Sequence, residues 1–259
     1  MNIETSELSP ANENFNYLRK LWHSLGLVIP VFVYLDPMRE FGNFADSTRL
    51  FTVIFLILSV FFILVMDYFR ITSPGFQNFF YKYFGFLMKE EEKNRINATV
   101  PYFTANIILF LFFSREVAVI SCIFLMFGDP FAAYIGMKFG KIRLKNGKSF
   151  EGLIAFFIAA FAFSLIFIQL HSHNSSVYNA FQLFQDTSLK YEILIILLAG
   201  SLFAGVTEFY SKNMLFGLMD DNLFIPVFSA IGISLFSFFL FDFPVYTLFY
   251  DPFDLIMKL

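Results

Sequence analysis

Residues 50–66 read LFTVIFLILSVFFILVM, an apolar run without a charged side chain. A helix needs about 20 mostly apolar residues to cross the hydrocarbon core of a bilayer, so this run and its flanks predict one transmembrane helix. Similar runs recur and predict seven spans, at residues 20–36, 50–69, 100–114, 116–137, 152–170, 190–209 and 223–241. The first and third are short and would require tilt or a locally thinner bilayer. The sequence therefore predicts an all-α fold, a polytopic membrane helix bundle of about seven transmembrane helices.

The composition agrees with a membrane protein and argues against several other classes. Of the 259 residues, 58% are hydrophobic and 15% are charged, whereas soluble domains carry roughly 25% charged residues. The net charge is only −3, so no nucleic-acid partner is expected. Cys122 is the only cysteine, which excludes an internal disulfide and a cysteine metal cluster. The polar and acidic first 18 residues are unlike a cleavable signal peptide.

The distribution of basic residues predicts the topology. With the N-terminus in the cytoplasm, 13 of the 18 Lys and Arg residues fall on cytoplasmic segments, as the positive-inside rule requires. The long connection at residues 67–99 is expected to be amphipathic or interfacial. We divide the chain into a polar N-terminal segment of residues 1–19, a single transmembrane domain of residues 20–241 and a C-terminal interfacial tail of residues 242–259.

A carboxylate stands inside the fourth span, in the sequence Gly128-Asp129-Pro130. A charged side chain near the bilayer centre costs about 2.5–3.5 kcal/mol on insertion scales, so Asp129 is a candidate catalytic or metal-binding residue. A snorkelling acid or a polar packing contact is the alternative. Gly128, Ala132 and Gly136 repeat at intervals of four and place small residues on one helix face. They either allow close helix packing or let a nucleotide approach bare backbone.

A cationic segment follows this span directly. Its basic members are Lys138, Lys141, Arg143, Lys145 and Lys148. Ammonium groups and flexible glycine backbone suit the binding of a triphosphate, and anchoring of the helix end by positive-inside charges is the alternative. The pattern of a Walker A loop is absent. The candidate nucleotide-binding residues are Gly128, Gly136, Lys138, Gly140, Lys141 and Lys148.

Further carboxylates lie on the same predicted side of the membrane. Glu151 follows the cationic segment, Glu208 ends the sixth span, and Asp220 and Asp221 open the seventh. Carboxylates hold Mg²⁺ while cations hold phosphates, and phosphoryl transfer requires both. The candidate ligands of Mg²⁺ or another divalent cation are Asp129, Glu208, Asp220 and Asp221. An Asp at the start of the last span is equally typical of a helix N-cap.

Two smaller groups of charged residues complete this side. Arg19, Lys20 and His23 begin the first span, and Arg19 and His23 share a helix face. Asp67 and Arg70 end the second span, where they would form a local ion pair.

Three motifs in these regions form a recognisable set. The central one is Gly128-Asp129-Pro130-x-Ala132-Ala133-x-x-Gly136-x-x-Phe139-Gly140-Lys141, continued by Lys148-Ser149-x-Glu151-Gly152. The other two are Arg19-Lys20-x-x-His23-x-x-Gly26, and Glu208 with Asp220-Asp221-Asn222-x-x-x-Pro226. Together they resemble the CTP-dependent lipid kinase family, which includes dolichol kinase, phytol kinase and CTP-dependent diacylglycerol kinase. They extend from about residue 19 to residue 230, most of the chain.

The resemblance implies an integral membrane enzyme that transfers the γ-phosphate of CTP to a lipid hydroxyl. It implies that Arg19, Lys20 and Asp129 are catalytic, with Asp129 either binding the metal or taking the proton of the hydroxyl. The segment after the second span looks closest to the diacylglycerol kinase branch. Diacylglycerol is therefore ranked above polyprenols such as dolichol, and the active site is expected on the cytoplasmic face of a bacterial plasma membrane or of the endoplasmic reticulum.

Other functions stay open. A phosphatidate cytidylyltransferase would use the same charged face to make CDP-lipid, although the Lys-Asp segment leading to His-Gly-Gly that marks true cytidylyltransferases is absent. A transporter would use Asp129 as an ion-coupling site, although two repeated halves with paired interrupted helices are not evident. A non-catalytic scaffold would explain the hydrophobicity but not the clustering of acids and bases on one side. The oligomeric state is left open.

Overall fold

The computed structural model describes residues 25–39, 41, 44–85, 94–144, 146–174, 180–185 and 188–257. The helices are α1 Val28–Leu35, α2 Ser47–Thr72, α3 Pro74–Phe84, α4 Thr99–Phe112, α5 Arg115–Phe139, α6 Phe150–Asn174, α7 Tyr191–Tyr210, α8 Asp221–Phe241 and α9 Val245–Leu248. Within the described residues, short 3₁₀ turns lie at Leu25–Leu27, Leu215–Gly217 and Pro252–Leu255. Two-residue strands β1 Phe184–Gln185 and β2 Ser188–Leu189 pair antiparallel, with Phe184 opposite Leu189. The predicted all-α fold is confirmed.

Five of these helices are long and apolar enough to cross a membrane. They are Ser47–Thr72, Arg115–Phe139, Phe150–Leu170, Tyr191–Tyr210 and Asp221–Phe241. The first and third predicted spans coincide with shorter apolar helices, Leu25–Leu35 and Thr99–Phe112. Fourteen helical residues extend only about 21 Å, short of a hydrocarbon core of about 30 Å. The polytopic membrane bundle is therefore confirmed, whereas the count of seven spans stays a prediction.

Helix α5 lies at the centre of the bundle. In its most apolar window 61% of the residues are buried inside the protein, compared with 22% for α2. It packs along α6 and also contacts α8 and α1, while α7 packs against both α6 and α8 and α2 packs on α4. The small residues of α5 make this close packing possible. Helix α2, in contrast, presents most of its side chains outward, as a lipid-facing helix does.

Three connections meet at one end of the bundle, which we call the site end. They are residues 94–98, residues 140–144 with 146–149, and residues 211–220. The Ile96 amide donates to the Phe216 carbonyl over 2.8 Å, and the Lys148 ammonium donates to the Ser211 hydroxyl over 3.0 Å. Among the described residues, the cationic segment after α5 and the acidic residues at the end of α7 and the start of α8 thus come together at one end.

The opposite end is tied by a buried ion network. Arg115 bridges the carboxylates of Asp36 and Asp46, each at 2.8 Å. Arg49, only 2% exposed, pairs with Asp46 and donates to the last carbonyls around α4, those of Phe110 and Phe113. These bonds satisfy carbonyl groups that the helix end leaves unpaired.

The C-terminal tail packs on this opposite end. The Tyr250 amide donates to the Phe112 carbonyl over 3.0 Å, and the Ser114 amide donates to the Leu248 carbonyl over 2.9 Å. Leu248 and Leu255 are buried. The tail thus contributes to the protein core; the division of the chain into three segments stays a prediction.

Candidate active site

The ammonium of Lys148 is the centre of a charged cluster at the site end. It lies 2.8 Å from the Glu208 carboxylate and 3.5 Å from that of Asp221. It also donates to the Glu208 carbonyl over 2.5 Å and to the Ser211 hydroxyl over 3.0 Å. One side chain from the α5–α6 connection therefore joins the end of α7 to the start of α8.

A local turn holds Lys148 in this position. Arg143 pairs with Ser149 in a short antiparallel bridge, and Gly147 supplies the positive φ of 84° that the turn requires. The Asn146 amide group donates to the Phe209 carbonyl over 2.9 Å. The Ser149 hydroxyl accepts from the Gly152 amide and caps α6. These bonds hold both ends of the turn, and the Lys148 side chain extends from it toward the end of α7.

The charges of three carboxylates act on this lysine. Burial alone would lower the pKa of Lys148, but the charges of Asp221, Glu208 and Asp129 outweigh it and raise that pKa. Asp129 thus acts electrostatically on the same cluster, although it comes from the fourth predicted span. Two carboxylates pair with the ammonium and the charge of a third acts on it, an arrangement that favours the approach of a further cation.

Asp220 and Asp221 have different roles, although they are neighbours in the sequence. Asp220 is the N-cap of α8: its carboxylate accepts from the amide and the side chain of Asn222, each at 2.9 Å. Burial and then the charge of Asp221 raise the pKa of Asp220 to about 7. The side chain of Asp221 is 34% exposed and faces Lys148. The N-cap alternative therefore describes Asp220, and Asp221 is the accessible carboxylate of the pair.

A second group of the predicted residues lines an open groove beside the end of α5. The groove has a volume of about 450 Å³ and is lined by Lys138, Phe139, Gly140, Lys141 and Glu151. Small-molecule sites usually have about 300–1,000 Å³. The Glu151 carboxylate accepts from the Lys141 amide over 3.0 Å, which orders the wall, while the Lys138 and Lys141 side chains are exposed. The structure thus divides the predicted cations between this groove and the Lys148 cluster.

The glycines of α5 face α6. A Cβ added to Gly128 would lie 2.6 Å from the Phe156 ring, and one added to Gly136 would lie 2.8 Å from the Ser149 hydroxyl oxygen. Both glycines are buried. Of the two interpretations offered by the sequence, close helix packing accounts for these contacts. A Cβ on Gly140 would lie 2.7 Å from the Ser149 Cβ, so this groove residue also serves packing.

Arg70 and Asp67 form a buried pair that the sequence suggested only as a local contact. Arg70 is 0% and Asp67 4% exposed, and their side chains bond at 2.9 Å. Arg70 also donates to the Tyr81 hydroxyl and to the Arg95 carbonyl, and Asp67 accepts from the Asn97 amide. The sequence signal for this ion pair was the separation of three residues between Asp67 and Arg70, which places them on one face at the end of an apolar helix.

Some predicted site residues cannot be compared with the structure. Arg19, Lys20 and His23 lie outside the described residues. Within the described part of the chain, no group of three or more His, Cys, Asp or Glu side chains is arranged to hold a metal ion. The proposed ligands Asp129, Glu208, Asp220 and Asp221 therefore do not form a complete protein-only metal cage there.

Comparisons with known proteins identify relatives of the chain. It is 29% identical over 220 residues to CTP-dependent diacylglycerol kinase 1 of Saccharomyces cerevisiae, a match covering 82% of this chain and 70% of the yeast protein. The match to CTP-dependent diacylglycerol kinase 1 of Eremothecium gossypii is 29% over 182 residues, 68% of this chain and 56% of that protein. This chain is a homologue of CTP-dependent lipid kinases. The resemblance drawn from the motifs is confirmed.

Three further comparisons, with an uncharacterised bacterial protein, with family models and with solved structures, add to this result. An uncharacterised protein of Rickettsia prowazekii is 26% identical over 234 residues, covering 88% of this chain and 97% of that protein. No family model matches the chain, and no solved structure matches it. The relatedness to the lipid kinases thus rests on curated sequences that align over most of the chain.

Proposed function

We propose that this protein is a membrane-bound CTP-dependent lipid kinase, with diacylglycerol as the favoured acceptor and polyprenols such as dolichol next. The observation that best supports this proposal is that acidic and basic side chains converge around Lys148 at one end of an apolar bundle. A nucleotide arriving from water and the hydroxyl of a membrane lipid can meet at such an end. The names of the fungal relatives support CTP and diacylglycerol as substrates.

The reaction would proceed by direct phosphoryl transfer. The lipid hydroxyl oxygen attacks the γ-phosphorus of CTP, the bond from that phosphorus to the bridging β–γ oxygen breaks, and CDP leaves. Such transfers depend mainly on positioning and charge stabilisation. Asp129 either receives the proton of the attacking hydroxyl or holds the metal, and its charge already acts on Lys148 and Glu208.

The residues fit a magnesium ion delivered with the nucleotide. Mg²⁺ prefers oxygen ligands and is usually held by one or two carboxylates together with substrate phosphates. Asp221 is the accessible carboxylate, and Glu208 is adjacent to it through Lys148. These residues would hold the ion, which supplies charge neutralisation for the triphosphate when bound. A complete protein-only cage is not needed for this role.

Two sets of cations would hold the triphosphate. Lys138 and Lys141 line the groove beside α5, and the resemblance adds Arg19 and Lys20. Lys148 is held by carboxylates, so it would contact phosphate only by exchanging partners as the nucleotide and its ion enter. Because CTP is cytoplasmic, the site end would face the cytoplasm.

Position-specific labelling of CTP tests the proposal. The purified full-length protein is assayed in mixed micelles with Mg²⁺, diacylglycerol, a polyprenol and phosphatidate. CTP is labelled at the γ-phosphate in one set and at the α-phosphate in another. Asp129→Asn is expected to abolish transfer. Asp242→Asn is the matched control, because Asp242 is exposed beyond the other end of α8 and its φ of 53° suits asparagine.

Each outcome decides between the candidate functions. Lipid labelled only from the γ-position supports the kinase, and the labelled lipid identifies the acceptor. Lipid labelled only from the α-position would mean CDP-lipid synthesis and would overturn the proposal. No labelled lipid would favour a transporter or a scaffold, and full activity of Asp129→Asn would contradict the proposed role of Asp129.

A further inference from the structure

The α7–α8 connection forms an exposed apolar hairpin immediately before the acidic residues of the site. We define the apolar hairpin as Met214–Met219; its ends are paired by Met214 and Met219 through backbone bonds of 2.8 and 3.3 Å. Four of its side chains are exposed in the protein alone: Met214 56%, Leu215 61%, Phe216 78% and Leu218 36%. Such a cluster on a connection requires an explanation, because exposed apolar surface is unfavourable in water.

The backbone of the hairpin directs these side chains outward. Leu215 and Phe216 have φ values of 48° and 57°, a left-handed conformation that is uncommon for residues with bulky side chains. The surrounding structure enforces it: the Ile96 amide donates to the Phe216 carbonyl, and a Cβ on Gly217 would lie 2.9 Å from the Ile96 carbonyl oxygen. Strained backbone that is held by its neighbours is characteristic of functional positions.

The position of the hairpin indicates what covers it. Helices α7 and α8 are both long and apolar enough to cross the membrane, so the connection between them lies at a bilayer surface. A second aromatic surface lies at the same end, on α3, where Phe79, Tyr83 and Phe84 are 54%, 54% and 45% exposed. Aromatic side chains concentrate at the headgroup level of membranes. The apolar hairpin thus lies at the same end of the bundle as a second surface suited to lipid.

We propose that the apolar hairpin inserts into the boundary between lipid headgroups and acyl chains and contacts the acyl chains of the lipid acceptor. Met219 is two residues from Asp221, a separation of at most about 7 Å. Insertion of the hairpin therefore sets the depth of Asp221 and brings the acceptor hydroxyl to the level of the Lys148 cluster. The contact with the acceptor rests on the proposed function; the insertion itself does not.

A fluorescent probe tests insertion without any enzyme assay. Cys122 is the only cysteine of the chain and is 0% exposed, so Phe216→Cys in the full-length protein provides a single reactive thiol. The thiol is labelled with an environment-sensitive fluorophore in phosphatidylcholine vesicles that contain spin-labelled lipids. Asn213→Cys, exposed on the same connection, is the matched control. We expect the probe at 216 to be blue-shifted, quenched by the spin-labelled lipids and protected from iodide, and the probe at 213 to be accessible to iodide. Equal iodide quenching at both positions would overturn the proposal.

Steady-state kinetics test the contact with the acceptor. Asparagine adopts the left-handed conformation readily, so Phe216→Asn removes the apolar side chain without adding backbone strain. We expect the KM for diacylglycerol in mixed micelles to rise about tenfold, with the KM for CTP unchanged. Asn213→Ala, at an exposed position of the same connection outside the hairpin, should leave both KM values unchanged. Parallel changes in both KM values would overturn the acceptor contact. Absence of kinase activity in the unmodified protein would instead contradict the proposed function, and the fluorescence experiment would still test insertion.

Discussion

Removal of the Lys148 ammonium should destabilise the protein, mainly through the carboxylate that it leaves behind. Glu208 is 5% exposed, and its carboxylate lies 2.8 Å from the ammonium. Breaking a buried ion pair by deleting one partner costs about 3–5 kcal/mol. The Lys148 side chain is 22% exposed, so solvent screening reduces this cost. For Lys148→Met we expect a loss of about 2–3 kcal/mol in the free energy of unfolding.

Removal of both the Lys148 and the Glu208 charge should lower the free energy of unfolding by less than the sum of the two single substitutions. The Glu208 carbonyl keeps the Ser211 hydroxyl as a donor over 2.9 Å when Lys148 is replaced, so the penalty is concentrated in the carboxylate. Glu208→Gln removes that charge and preserves the side-chain volume. We expect the Lys148→Met loss to shrink by about 1–2 kcal/mol when it is made in the Glu208→Gln background.

Unfolding in mixed micelles with increasing SDS provides the measurement for all four members of this cycle. Wild type, the two single variants and the double variant are compared at the same pH and ionic strength. Additive losses in the double variant would refute the reasoning, because they would mean that the two side chains do not interact in the folded protein.

Three further predictions test other parts of the structure. Gly128→Ala should lower the free energy of unfolding by about 1–3 kcal/mol, seen as a lower melting temperature, because its Cβ meets an aromatic ring at 2.6 Å. Gly75→Ala, with no atom within 4 Å of the added Cβ, should be neutral or stabilising. Arg115→Met should lower the melting temperature and leave the KM for CTP unchanged, since Arg115 pairs with Asp36 at the opposite end; a selective rise in that KM would contradict this. The raised pKa of Asp220, about 7, means that its contribution to the stability of the ligand-free protein is present below pH 4 and lost as the pH rises through about 7. Asp220→Asn keeps the cap but cannot titrate, so its melting temperature should change less than that of wild type between pH 5 and pH 8; identical pH profiles would contradict the assignment.

The membrane class and the positions of the helices followed from local sequence. The run at residues 50–66 lies within α2, and each of the other predicted spans coincides with an apolar helix. Hydropathy is a property of consecutive residues, so it can be summed along the chain without knowledge of the fold. The number of spans could not be derived this way, because the 14 residues of α4 are compatible with several depths in a bilayer.

The role of each glycine and each carboxylate could not be derived from the motifs alone. Gly128 and Gly136 suited either packing or nucleotide binding until their faces were seen against α6. Asp220 and Asp221 were equivalent candidates for metal binding. The hydrogen bonds of Asn222 distinguish them, because they occupy Asp220 as a cap and leave Asp221 accessible.

The sequence by itself determined that this is an apolar helical bundle with its acidic and basic motifs at the ends of particular helices, since both hydropathy and motif spacing are read locally. Only the tertiary structure decided that Lys148 turns to Glu208, 60 residues away, while Lys138 and Lys141 line a separate groove. It also decided that Leu215 and Phe216 point outward from a strained turn held by Ile96. These features depend on the directions of side chains and on packing between distant segments, and the order of residues does not specify either one locally.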